Sequence, residues 1–225
     1  MIKFHSTKVS SGTIEALKWL GLITMTIDHI NRIFLNMTYD SLYSIGRLAL
    51  PLFAFVFAYN LAQNEGVSSV YFKYFKRFIF FGLLATPGYI AMRKFEGLFP
   101  LNIMFTLLAA ALTIYFYDKE DPNLPMAVFC GLIGGMLVEF NWAGVVLCVG
   151  FWLYCKKPTF AAMLMLLAGY TLLYYSNENN WGLASLPIIS LLIPFDLKIP
   201  RLRFLFWIYY PAHLSLFVVI KRLIG

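Results

Sequence analysis

Glu15-Ala-Leu-Lys-Trp-Leu-Gly-Leu-Ile-Thr-Met-Thr-Ile-Asp-His-Ile-Asn-Arg-Ile-Phe34 is a largely apolar run that also carries Glu15, Lys18, Asp28, His29 and Arg32. A helix that crosses a bilayer needs about 20 mostly apolar residues, which this run supplies. Ionisable groups inside such a span cost roughly 2.5–3.5 kcal/mol each on insertion scales, so their presence asks for a function. At about 100° per residue, Glu15, Lys18, Leu22, Met25, His29, Arg32 and Asn36 fall on one stripe. Lys18 and His29 share a face, about 16 Å apart along the axis. A polar stripe within a membrane has to face a bundle interior or a wet cavity.

The rest of the chain extends this reading. Of its 225 residues, 60% are hydrophobic and 13% charged, the latter about half the soluble norm of about 25%. A water-soluble monomer cannot cover that much apolar surface. The same figures exclude disorder, fibres and a disulfide scaffold. Continuous rather than alternating apolar stretches argue against a β-barrel. The expected fold is all-α, a polytopic integral membrane bundle of about nine (8–10) segments in a single domain, 1–225. The segments fall at about 13–36, 45–62, 78–92, 101–117, 125–139, 142–155, 159–175, 183–194 and 204–223. The fifth and sixth read as a hairpin turning at Glu139–Asn141. No apolar region precedes Thr13, so the N-terminus does not read as a signal peptide.

Loop charges set the expected orientation. With the N-terminus cytoplasmic, Lys3, Lys8, Lys73, Lys76, Arg77, Lys119, Lys156, Lys157, Lys198, Arg201 and Arg203 fall inside. Arg93, Lys94, Lys221 and Arg222 fall outside, and the terminal pair runs against the rule. The net charge of +7 then reflects membrane-facing loops rather than a nucleic-acid partner. Cys130, Cys148 and Cys155 sit in apolar runs without a CxxC pair and read as inert thiols.

Several side chains carry candidate chemistry. His29 offers an imidazole, the usual general base near neutral pH; its alternative role is a hydrogen bond between helices. Asp28 lies about 100° around the helix from His29, so the two do not pair on one face. Asp28 can instead orient a partner helix through Arg47. Arg47 follows Gly46 and precedes Pro51, a place from which a guanidinium can meet a carboxylate or phosphate, or snorkel to headgroups. Asn102 enters the fourth segment, either in a cavity or as an ordinary helix start. His213 follows Pro211 inside the last segment. Lys73, Lys76 and Arg77 are a basic cluster, either a solvated loop or a holder of phosphates. His5, in the polar N-terminal segment, reads as inert. HExxH, CxxC, GxxxxGK[ST] and GxSxG are all absent, and three His without clustered acids argue against a metal.

The 15–34 run resembles the first span of the TraX family, the F-pilin acetylase-like proteins. Gly46-Arg-Leu-Ala-Leu-Pro-Leu-Phe-Ala54, Asn102-Ile-Met-Phe105 and the stretch from Phe206 to Leu214 agree in order. Asp-His-Ile-Asn and Gly-Arg-x-x-x-Pro-Leu-Phe-Ala are the specific blocks. Lys18, ten intervening residues and His29 also resemble the wider transmembrane acyltransferases. Leu50 departs from the pattern, standing where an aromatic is expected. The resemblance implies transfer of an acetyl group from acetyl-CoA to an amine or hydroxyl at the bacterial inner membrane, without a metal. The favoured acceptor is the N-terminal amine of pilin, with a surface-glycan hydroxyl as the alternative. His29, Asp28, Arg47 and His213 become the catalytic candidates. Lys18, Asn102, Lys73, Lys76 and Arg77 become the candidates for binding the donor. A transporter or channel lined by the stripe is the competing class; inverted repeats, which would favour it, are not evident.

Overall fold

The computed structural model describes residues 9–64, 68–93, 97–119, 121–202 and 204–224. Lys3, His5, Lys8, Lys94 and Arg203 of the charge reading lie outside them. In chain order the helices are α1 (Ser11–Ile33), α2 (Asp40–Gly46), α3 (Ala49–Ala62), α4 (Ser68–Arg93) and α5 (Ile103–Tyr117). They continue with α6 (Leu124–Leu137), α7 (Asn141–Lys156), α8 (Phe160–Asn177), a 3-10 turn at Trp181–Ala184, α9 (Ser185–Leu192) and α10 (Leu205–Ile224). No strand forms among the described residues, and Leu101 with Val138 makes an isolated bridge.

With α2 and α3 taken together, and the 3-10 turn joined to α9, each expected segment matches a helix. The largest difference is α4. It starts at Ser68, ten residues before the expected 78, because Lys73, Lys76 and Arg77 lower the hydropathy of its first turns. Helix starts are capped where the sequence supplies a short polar side chain. Ser10, Asn102, Asn123 and Thr159 accept hydrogen bonds from the backbone N–H groups of Thr13, Met104, Met126 and Ala162.

Small residues let helices approach. A Cβ on Gly169 would meet the Leu147 Cα at 2.9 Å, seating α8 on α7. One on Gly46 would meet the Asp28 Cβ at 2.4 Å, so α2 lies directly against α1. Trp19 meets Phe206, Thr26 meets Tyr209, His29 meets His213 and Phe34 meets Phe217. The pairs rise together along both helices, so α1 and α10 run parallel. Before α10, Thr13 Oγ1 donates to the Phe195 carbonyl, and Gly12 leaves room for the Leu197 carbonyl. That segment crosses the start of α1 and delivers Arg201 beside Lys18.

The perimeter is apolar. Phe80, Leu83, Val128, Phe129, Met136 and Leu167 are each more than half exposed. Asp40–Ala62 and Phe160–Asn177 are long and apolar enough, by length and composition, to cross a membrane.

Candidate functional site

A cavity of ≈ 460 Å³ opens between α1, α3, α4 and α10. Lys18, Leu22, Met25, His29 and Arg32 form its α1 wall, which is the middle of the predicted stripe. Glu15 lies behind that wall, and Asn36 falls beyond the helix end with a left-handed φ of 49°. Among the described residues that line the cavity, Lys18, Arg32, Arg47, Lys73, Arg77, Arg93 and Arg201 face two carboxylates, Asp28 and Glu139. The space is therefore strongly cationic.

The cations form two groups. Lys18, Lys73, Arg77 and Arg201 gather where α10 begins. There the Arg77 guanidinium lies 5.5 Å from the Phe204 ring and Lys18 5.3 Å from the Phe206 ring. Lys73 and Arg77 are four positions apart on one face of α4. Arg32, about 21 Å further along α1, belongs to the opposite end with Arg93. Arg93 is bound to Glu139 at 2.5 Å.

His29 stands between the two groups. Its Nδ1 lies 2.7 Å from His213 Nε2. The rings are parallel to within 7° with centroids 5.0 Å apart, a spacing that suits two imidazoles joined edge to edge. His213 Nδ1 is 2.8 Å from the Tyr209 carbonyl. A carbonyl only accepts, so His213 Nδ1 carries the proton and its Nε2 accepts in the neutral ring. His29 must then donate from Nδ1, which leaves the lone pair on Nε2. The pair fixes the tautomer that a general base requires. His213 is buried and does not line the cavity. It contacts the cavity through His29.

Asp28 and Arg47 behave as the sequence suggests. Arg47 Nη2 donates to Asp28 Oδ1 at 2.7 Å, Nη1 to Asn177 Oδ1 at 3.2 Å and Nε to the Tyr43 carbonyl at 3.3 Å. Three of the five guanidinium N–H groups thus tie α1, α2 and α8 together, and two remain. Lys18 lines the cavity but is also bound to Glu15 Oε1 at 2.6 Å.

Two expected donor-site residues lie elsewhere. Asn102 is fully buried, caps α5 and donates to the Gly82 carbonyl at 2.9 Å and to Thr86 Oγ1 at 3.2 Å. It bridges α4 and α5 and is outside the cavity lining, which the neighbouring Ile103 and Met104 join. Lys76 is exposed and outside the lining, since the helical period turns it away from the Lys73–Arg77 face. Arg93, Glu139 and Arg201 join the cavity although they read as loop charges. Only tertiary packing brings them in.

The family model described as "TraX protein" matches residues 13–221. A relative from Dichelobacter nodosus, "Probable fimbrial assembly protein FimC, serogroup H1", is 25% identical over 230 aligned positions, covering 89% of this chain and 92% of the relative. "Protein TraX" from Escherichia coli is 26% identical over 189 positions, covering 82% of this chain and 66% of that protein. No solved structure matches significantly. With the family model spanning nearly its whole length, this chain belongs to the TraX protein family.

Proposed function

We propose that this protein is a multi-pass integral membrane acetyltransferase that moves an acetyl group from acetyl-CoA to an acceptor amine. The observation that carries the reading is His29. Its tautomer is set by His213, which leaves the lone pair on Nε2, and the ring lines a cavity with Lys18, Lys73, Arg77 and Arg201 at one end. Those cations suit the phosphates of CoA. The distance of about 16 Å from Lys18 to His29 along α1 suits an extended pantetheine arm. The acceptor nitrogen bonds to the acetyl carbon as the carbon–sulfur bond breaks. His29 Nε2 takes the amine proton and returns one to the departing thiolate. Uncommitted N–H groups of Arg47, or Arg32 one turn beyond His29, meet the charge that builds on the carbonyl oxygen.

The apolar perimeter supports a membrane setting, with the Lys73–Arg77 end at the cytoplasmic face where CoA is found. One relative is named as a probable fimbrial assembly protein, which supports a pilin amine as the acceptor. The test is a comparison of acetylated proteins and glycans in cells with and without this chain, by mass spectrometry. Acetylation of a pilin N-terminus that depends on the chain is the expected result. Acetylated glycan alone would move the acceptor to a hydroxyl, and no acetylated product of either kind would remove the enzymatic reading.

A further inference from the structure

A smaller hollow of ≈ 230 Å³ adjoins the cavity. Lys18, Asn60 and Arg201 line both spaces and so mark the passage between them. Glu15 forms part of the hollow's wall and is 1% exposed. Its Oε1 holds Lys18, but its Oε2 has no hydrogen-bond partner among the described residues. A buried carboxylate oxygen without a donor is costly, and one that lines a hollow suits a ligand that brings the donor.

The neighbouring polar groups narrow the ligand. Asn60 Nδ2 gives one of its two protons to the Val56 carbonyl at 2.8 Å, and its Oδ1 is left to accept. The Tyr59 hydroxyl accepts from the Val9 N–H at 2.9 Å, which leaves its proton to donate. The hollow thus sets Glu15 Oε2 and Asn60 Oδ1 as acceptors beside the Tyr59 hydroxyl as a donor, with Val9 and Ile14 as apolar walls and Ser11 and Gln63 completing the lining. Adenine presents the complement: an N6 amino group with two protons, next to a ring nitrogen that accepts. A six-oxo purine would set an oxygen against the Glu15 carboxylate instead. Lys18 and Arg201 at the passage would take the phosphates of the attached nucleotide.

We propose that this hollow is the base pocket for the donor nucleotide, with Glu15 selecting adenine over six-oxo purines. This rests on the acetyl-CoA reading above. The base would sit beside the start of α1, and the acyl arm would run through the cavity toward His29.

The test is calorimetry on the full chain in lipid nanodiscs. The probes are CoA, 4′-phosphopantetheine, adenosine 3′,5′-bisphosphate and inosine 3′,5′-bisphosphate. Wild type should bind the adenosine compound about tenfold or more tighter than the inosine compound, as for a hydrogen bond to a charged group. Glu15→Gln both accepts and donates, so it should shrink that preference to about twofold while leaving 4′-phosphopantetheine affinity unchanged. Asn60→Ala, which keeps the carboxylate, should narrow the preference in the same direction and serves if Glu15→Gln fails to fold. Equal wild-type binding of the two bisphosphates would overturn the base pocket, and Glu15 Oε2 would then be satisfied by water. Loss of 4′-phosphopantetheine binding in Glu15→Gln would also overturn it, since Glu15 would then act only by holding Lys18. Wild type that binds neither CoA nor 4′-phosphopantetheine would instead remove the acetyl-CoA reading beneath it.

Discussion

Helices α6 and α8 contain no charged side chain, while α1 alone carries Glu15, Lys18, Asp28, His29 and Arg32. The two regions solve opposite problems. In the α5–α8 region glycines draw helices together: a Cβ on Gly134 would meet the Ala109 Cβ at 2.6 Å, and one on Gly150 the backbone of Leu166 at 3.0 Å. Close approach of this kind excludes water and suits a static support. The α1–α3–α4–α10 region holds a cavity instead, lined by more cations than carboxylates, with Lys18, Arg47 and Arg93 each held by an acid. Specialised division of this kind lets one chain keep a charged cavity without loosening its frame.

The contrast predicts that damage on the two sides will be read by different assays. The largest effect should come from His29→Gln, which keeps hydrogen bonding but cannot take a proton near neutral pH. Acetyl transfer should fall about 10²–10⁴-fold with acetyl-CoA affinity retained in calorimetry. Near-wild-type turnover, with transfer limiting, would reduce His29 to a link between helices. Next, Asp28→Ala leaves the Arg47 guanidinium buried without its carboxylate. Stability should drop by about 3–5 kcal/mol in a detergent unfolding titration. An unchanged midpoint would mean that Asn177 and Tyr43 suffice to hold Arg47. On the other side, Gly169→Leu should cost about 1–3 kcal/mol through overpacking. Protein that remains folded should keep the wild-type level of the proposed acetyl transfer, and a selective loss of transfer would link the two regions. The smallest effect belongs to Lys76→Ala, which should leave the KM for acetyl-CoA unchanged while Lys73→Ala and Arg77→Ala each raise it. Equal effects from all three would make the cluster a general surface charge and not a wall of the cavity.

Much of this arrangement is legible in the sequence, for physical reasons. A helix that buries a polar face repeats every 3.6 residues, so Lys18, His29 and Arg32 announce a shared wall before any partner is known. Asp28 and Arg47 are legible together because two opposite charges within apolar runs have little choice but to meet. Arg93 and Glu139, 46 positions apart, leave no such trace, since their meeting depends on how α4, α5 and α6 return the chain. Asn102 shows the converse: an asparagine ahead of an apolar run looks the same whether it caps a helix or lines a cavity. The role of His213 is split. Its place beside Pro211 is plain in the sequence, but its service as the hydrogen-bond acceptor for His29 depends on the parallel run of α1 and α10.

The contact of Gly46 with Asp28 has an evolutionary consequence. The 2.4 Å spacing is measured to the Asp28 Cβ, an atom that every residue but glycine would carry at position 28, so the restriction at position 46 would outlive the ion pair. A descendant that replaced Asp28 and Arg47 by a neutral, well-packed pair would still be held to glycine at 46. Position 46 should therefore drift more slowly than either charge, and a chain lacking that glycine should carry a compensating change in the spacing of its first two helices.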